Sequence, residues 1–583
     1  MRSDSNSVRT TLRFTAALAW LILLIPAGGS AAAAQPLRGP LVISERWPEC
    51  TDLSTWVRDV MRLENLENAT ETAQAKAFFR WLRLFSRMAT GGMIQAYEGE
   101  HGSERYVLDA HKNLFVYGWG FCDTSSRIAE AAWSQFKMDR GAAERVCVMH
   151  DNGGFHTMYR LRLDGRHAAF DPRYGYYLVE RDAPDARILD WTEVGVDENL
   201  LRNRQYRHRS QPFFEILGLE WERALLVQPA YYRTEEEWRK AGGRAECVFG
   251  DGKYEMGTRF HDMDFELPKG TTIERYWDGT ARKFYVPAGT HTKREEPFLP
   301  SGRFYRVTET MLDGNWVKND PNYRRAEPYL ARVPEGEGYN KDVAGGRTLG
   351  QAWGRIEYHP DLRELPDALV PGSTLVAASN APHLRPPTPD AAGQATFDFR
   401  CPYVLVDGSL SGELSGGAAD GLKLEFRVLR AKPDNDTEPD AWSEWEEIHR
   451  GPGSFEVPVG RERFNGKDAS LHGAYRFQVR VTVGPNPGRT AAAGLSRIRF
   501  TGHFEQGIMS IPQIFAGRNT IHFKVRDAAA LRGQVRVVYR YQTASGEKEH
   551  ARTLRPAEFR DDVASYSFDA PGLLRCRSLS VAY

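Results

Sequence analysis

The dipeptide Asp164-Gly165 stands between two alternating runs, Phe155–Leu163 and Arg166–Asp171, and constrains the fold more tightly than any other feature of the chain. Asp-Gly suits a two-residue turn with positive φ at both central positions, the connection whose twist matches a pair of antiparallel strands. Counting outward from a Leu163–Arg166 pair sets Asp171 opposite Met158 and His156 opposite Arg173. Residues two apart on a strand share a face, so His156 and Asp171 are expected as diagonal neighbours, roughly 7–8 Å apart at the backbone. A slip of one residue would send them to opposite faces.

An imidazole beside a carboxylate gains meaning from a nucleophile. Catalysis by sulfur needs a thiolate, a base to form it and an acceptor that orients the base, and Cys122, His156 and Asp171 supply these three types in that order. Gly118-Trp119-Gly120-Phe121-Cys122-Asp123 leads into Ser125–Phe136, where Ile128, Ala129, Ala132, Trp133 and Phe136 fall on one helical side. Cys122 is therefore expected just before a helix, where free backbone N–H groups and the positive end of the dipole favour S⁻ and can hold a developing oxyanion. Upstream, residues 52–89 read as helices. In Ala73–Met88 the positions Ala77, Phe78, Trp81, Leu82, Leu84 and Phe85 make one apolar stripe. Arg145–His150 reads as a strand ahead of the hairpin.

These blocks carry a resemblance. Gly120-Phe121-Cys122-Asp123-Thr124-Ser125-Ser126, then Arg145-Val146, then His156 opening a strand, then Phe170-Asp171-Pro172, resemble the Gly-x-Cys, His and Asp-Pro blocks of the transglutaminase-like superfamily of papain-type cysteine enzymes, in a bacterial secreted type. The resemblance covers about residues 70–190. After His156 the chain departs from it, with Thr157-Met158-Tyr159 where such domains often carry Ala and Trp, a difference that bears on substrate shape. What it implies is an α+β transglutaminase-like domain over 45–240, a Cys122–His156–Asp171 triad with no cofactor and no metal, and acyl transfer: hydrolysis of an amide or peptide, favoured where water competes, or transamidation. The same fold also serves as a non-catalytic domain, so the alternative is an envelope protein that binds a glycan or a protein.

The address is written at the N-terminus. Arg2, Arg9 and Arg13 precede the apolar run Phe14–Ile25, Pro26 and the small-residue stretch ending Ala32-Ala33-Ala34, a secretory signal peptide over 1–34 with cleavage expected before Gln35. The run is too short to span a bilayer, so an exported protein, periplasmic or at the cell surface, without a membrane span after cleavage is expected. Cys50, Cys122, Cys147, Cys247, Cys401 and Cys576 remain, an even set that could pair completely unless one is catalytic. Lys plus Arg and Asp plus Glu are both 77, which removes the bulk attraction of a general nucleic-acid binder. The basic run 202–209 is then a solvated loop or a local anion contact. The expected partner is a protein or a peptide-containing polymer of the cell envelope, with glycan as a further candidate through the C-terminal part.

Beyond the hairpin, 188–243 reads as helical and mixed, and 250–370 as β-rich, with runs such as Thr272–Trp277 and Lys283–Val286. Residues 371–396 are rich in Pro, Ala, Gly and Ser and read as a linker. Past it, Leu422–Leu429, Tyr475–Val483, Ile498–Thr501, Thr520–Val525 and Gln534–Gln542 alternate between turn residues, so 397–583 is expected to be an independent all-β sandwich. His101, His111, His150, His156 and His167 lack metal-ligand spacing. His261-Asp262-Met263-Asp264 reads as polar turn residues, or as acid–base groups of a carbohydrate-active enzyme with paired carboxylates.

Overall fold

The structure, a computed structural model, describes residues 35–88, 109–149 apart from 121, 155–172, 187–190, 231–232, 265–277 and, with short breaks, 351–583, together with a few single positions between them. Residues 1–34 (the expected signal peptide), the basic run 202–209 and Lys283–Val286 lie outside the described residues.

Three helices form where the periodicity asks for them. Helix α1 (Leu53–Leu63) starts at Asp52, whose side chain accepts from the Thr55 amide at 2.8 Å, and it buries Leu53, Trp56, Val57, Val60 and Met61. Helix α2 (Glu71–Phe85) is capped by Thr70 and stops at Ser86, short of the Met88 expected from the sequence. There Arg87 and Met88 leave the helix to pair in parallel with Trp119 and Gly120. Helix α3 (Cys122–Lys137) starts earlier than expected, so that Cys122 is its first residue. Phe78 of α2 meets Trp133 of α3 at 5.2 Å between ring centres, and Trp56 meets Phe85 at 5.2 Å, edge to face.

Beside the helices lies a four-stranded sheet in the order Arg166–Phe170, Phe155–Leu163, Ala143–Met149, Tyr231–Tyr232. Leu163 pairs with Arg166 and Tyr159 with Phe170 across the Asp164-Gly165 turn, whose φ values of 49° and 78° are the left-handed pair the dipeptide selects. Tyr159 and Phe170 stack at 5.3 Å, and Phe79 of α2 packs on Phe170 at 5.4 Å. In the interval expected to be helical and mixed, Tyr231–Tyr232 is a strand against Cys147 and Val148. Most of that interval lies outside the described residues.

The remainder is β-sheet, with a large sandwich-like sheet of fourteen strands in the C-terminal region. Its longest strand, Gly393–Ser415, pairs with Ala474–Val483 as far as Arg400, shifts register between Arg400 and Leu405, and continues against Gly494–Gly507. A strand that changes partner at an irregularity turns the corner between two packed layers. Phe399, Phe477 and Phe500 fill the space between, with ring centres 4.7 Å apart for Phe399–Phe477 and for Phe477–Phe500.

This sheet does not respect the expected domain boundary. Thr271–Tyr276 pairs with Gln351–Tyr358 on one side and with Leu573–Ala582 on the other, and Gln351–Tyr358 pairs with Gly494–Gly507. Leu41–Ser44, near the start, pairs with Gly517–Lys524. The segment 371–396 is laid onto the sheet. Leu369 bridges Phe397, Val370 and Thr374 donate backbone hydrogen bonds to Thr396 and Gln394, and Leu384 pairs with Leu495. Its Pro-rich composition reports an extended backbone, which suits a linker and an edge segment equally. At Gly354 a Cβ would sit 1.8 Å from the Phe504 ring, so the middle strand is shaped to receive a side chain of its C-terminal neighbour.

Cys50, Cys401 and Cys576 are in no disulfide, so the six cysteines do not pair completely, and Cys401 and Cys576 are buried. Among the described residues no helix is long and apolar enough to cross a membrane.

Because Thr271–Tyr276 and Gln351–Tyr358 lie in the middle of the sheet order, a fragment comprising 397–583 would expose Gly494–Gly507 and Leu573–Ala582 as open edges. That fragment is expected to aggregate or melt without a cooperative transition in calorimetry, while a chain from Gln35 to Tyr583 melts cooperatively.

Candidate active site

The three residues singled out in the sequence lie on adjoining elements. Cys122 opens α3, where the first backbone N–H groups of a helix lack intrahelical partners. His156 is the second residue of the strand Phe155–Leu163 and pairs with Val148. Asp171 follows the strand Arg166–Phe170 directly and is fully buried. Carrying the observed register one pair past Tyr159–Phe170 sets Asp171 opposite Met158, and alternation then places His156 on the same face. The side chains of Cys122 and His156 are outside the described residues.

Helix α3 lies on the opposite face of this strand. Arg145, the cross-strand partner of Tyr159, donates to Glu130 of α3 at 2.7 Å, with the Arg145 side chain almost wholly enclosed. Tyr159 and its α3-facing neighbours thus alternate with His156 and Asp171. A thiol on α3 and an imidazole on this strand can meet only at the strand's beginning, past the edge of the packed face. The first turn of α3 reaches that end: Ser126, one turn along from Cys122, donates to the Thr157 carbonyl at 3.4 Å. On the His156 face, Arg160 is buried between Glu144, at 2.7 and 3.0 Å, and Asp190, at 3.4 Å, which ties neighbouring segments together below the proposed dyad.

The entry to α3 is braced from two sides. Ser86, at the end of α2, shares a hydrogen bond with Ser125 at 2.9 Å, next to the parallel pair formed by Arg87–Met88 and Trp119–Gly120. From the other side, residues Lys112–Tyr117 form a π-helical turn that ends at Gly118 in the left-handed conformation (φ 68°), with the Gly118 amide bonded to Asn113 O at 2.9 Å. That turn rests on the C-terminal sheet. Ser510 Oγ is 2.7 Å from both the Phe115 and the Gly507 carbonyl, and a Cβ on Gly507 would come within 3.3 Å of Gly118 Cα. Widened turns of this kind insert one residue into a helix and recur where a chain must be aimed at a site.

Ser86 and Ser510 carry no signal in the sequence, and Ser125 and Ser126 stand there only within the Gly-x-Cys block, with no bracing role read for them. A buried serine between two carbonyls leaves no local pattern, and Ser510 lies 395 residues from Phe115. His261 finds a structural role: its amide bonds to Asp109 at 2.5 Å, its ring bonds to the Pro402 carbonyl at 2.8 Å, and it packs on Tyr475 at 4.7 Å. Asp262 and Asp264 lie outside the described residues, so the paired-carboxylate alternative has no geometry here. Among the described residues no three His, Cys, Asp or Glu side chains cluster in a way that would hold a metal ion.

No protein-family model matches the chain, and no curated protein matches it. Among solved structures the chain is similar to a glycosyl hydrolase family 2 member from Bacteroides cellulosilyticus, at 13% identity over 40% of this chain and 24% of that one, with a TM-score of 0.10. A calcium binding mutant of Bacteroides uniformis beta-glucuronidase 2 gives 11% identity over 32% of this chain and 22% of that one, with a TM-score of 0.10. The chain thus spans about a quarter of the length of these structures. At such TM-scores the likenesses assign neither fold nor activity.

The brace at Ser510 is open to test. Ser510→Ala leaves two buried carbonyls without that donor and is expected to cost about 1–3 kcal/mol in urea unfolding. Ser510→Thr, which keeps the hydroxyl, should cost less unless the added methyl clashes.

Proposed function

We propose that this protein is an exported cysteine-dependent acyl-transfer enzyme on a transglutaminase-like core. The observation that supports this best is the hairpin register, with a fully buried Asp171 on the face of His156, together with the first turn of α3 reaching the end of the strand where His156 lies. In this reading Cys122 attacks an amide carbonyl and forms a thioester. His156 takes the thiol proton and returns it to the leaving amine, and Asp171 orients the ring without accepting the proton itself. The first backbone N–H groups of α3, which have no acceptor within the helix, stabilise both the thiolate and the tetrahedral oxyanion in this reading. Water resolves the thioester in hydrolysis, and a second amine resolves it in transamidation. The substrate class is a protein or a peptide-bearing envelope polymer. A signal over 1–34 would deliver the chain to such a substrate.

The free thiols elsewhere supply controls. Burial pushes the Cys401 thiol up to about 12 and the Cys50 thiol well above its ordinary value. At pH 6 both are protonated and unreactive, whereas a thiol beside an imidazolium at a helix N-terminus is ionised. Iodoacetamide at pH 6 should alkylate Cys122 at least tenfold faster than Cys50, Cys401 or Cys576, as read by peptide mapping. His156→Ala should erase that selectivity, and Asp171→Asn should lower turnover with the fold retained. Labelling of Cys122 no faster than in denatured protein would sink the enzyme reading in favour of a binding protein on the same scaffold.

A further inference from the structure

We propose that the cavity beside Arg275 is a binding site for a small carboxylate, separate from the candidate triad. Arg275 lies in the strand Thr271–Tyr276, between Gly354 and Leu579 of the neighbouring strands, and is 7% exposed. Among the described residues it makes no ion pair. Its Nε has no hydrogen-bond partner, and Nη1 reaches only the Tyr403 hydroxyl, at 3.4 Å. A guanidinium cannot shed its charge at physiological pH, and a buried cation without a counter-ion is the arrangement that folded proteins avoid.

No side chain around it supplies the missing charge. Burial raises the Cys50 and Cys401 thiols and the Tyr403 phenol, so all three stay neutral beside Arg275. Glu49 is the one carboxylate in the cavity wall. Its Oε1 accepts from Thr51 at 2.6 Å and is beyond ion-pair distance of the guanidinium.

The cavity encloses about 40 Å³. That is room for roughly three waters at about 10–15 Å³ each, the number of heavy atoms in formate and close to that of acetate. A carboxylate bonds the Nε edge of a guanidinium through parallel N–H···O bonds, a fit that a spherical halide lacks, and here that edge includes the buried, unpartnered Nε. Ile273, Val581, Met263 and Phe265 form apolar walls that strengthen such a contact by excluding water. The cavity adjoins a wider cleft of about 520 Å³, with which it shares Pro40, Leu41, Glu49, Thr51, Met263 and Phe265, and whose lining adds Lys524 and Arg526 along with Asp52. A larger acid can therefore place its carboxylate on Arg275 and its body in the cleft.

The test uses the mature chain from Gln35 with sodium formate, sodium acetate and sodium chloride at constant ionic strength. Formate and acetate should raise the melting temperature saturably, by roughly 2 °C or more, with chloride inert. Arg275→Gln should lose that response. Should Arg275→Gln fail to fold, line broadening of ¹³C-formate by the wild-type protein, reversed by unlabelled acetate, reads occupancy without a variant. A saturable response to chloride alone overturns the carboxylate assignment. A formate response that persists in Arg275→Gln, or the absence of both a melting shift and broadening, overturns the site. Because Cys122 alkylation is read separately, failure here leaves the acyl-transfer reading untouched, and the reverse holds equally.

Discussion

Trp47 is the contact on which the rest of the architecture depends. It follows the strand Leu41–Ser44 and is 1% exposed, edge-on to Trp81 of α2 at 5.3 Å, stacked near Phe85 at 6.0 Å, and against Phe515 of the C-terminal part at 6.1 Å. Its indole N–H donates to the Met509 carbonyl at 2.7 Å, a residue 462 positions away in sequence. Truncating a buried tryptophan of this kind costs about 3–5 kcal/mol. Against a usual net stability of about 5–15 kcal/mol, one side chain is then a large share of what holds helices and sandwich together. Both braces on the α3 entry hang from it, since α2 ends in Ser86 one residue past Phe85, and Ser510 follows Met509 directly.

What could be read from the sequence is what local chemistry decides. The Asp164-Gly165 turn fixed its own strands because its backbone angles admit one register, and the diagonal relation of His156 and Asp171 followed without knowledge of anything else. The stripe of α2 needed only its own periodicity. The residue types of the proposed triad, and their order, also stand in the sequence itself. Hidden from a linear reading was the face on which α3 packs, because a helical stripe says that a helix is covered and leaves open which side of a sheet covers it. The Arg145–Glu130 contact supplies that fact, and it moves any meeting of thiol and imidazole to the end of the strand.

Long-range pairing failed for a related reason. Alternation sets the two faces of a strand and says nothing about its partner. Thr271–Tyr276 and Gln351–Tyr358 read as a β-rich region of their own, and the Pro-rich stretch after them read as a boundary. In the fold they are central strands of the C-terminal sheet, and the stretch is pinned along it. The cysteines show the same limit. An even count in an exported chain permits pairing without deciding it, and Cys50, Cys401 and Cys576 are in no disulfide, two of them buried as small apolar groups.

The shared sheet alters how the acyl-transfer reading should be understood. A C-terminal sandwich joined by a linker would be an appended module, free to bind a ligand with little effect on a distant thiol. Here the sandwich donates through Ser510 to the turn that leads into α3, packs Gly507 against Gly118, and closes on the N-terminal strand at Leu41–Ser44. Packed interiors transmit displacement because they have little free volume. The position of the α3 N-terminus is therefore a property of the whole unit from Ala34 to Tyr583 rather than of residues 70–190 alone. In the acyl-transfer reading, the nucleophile is aimed by a serine and a tryptophan contact that no catalytic motif contains.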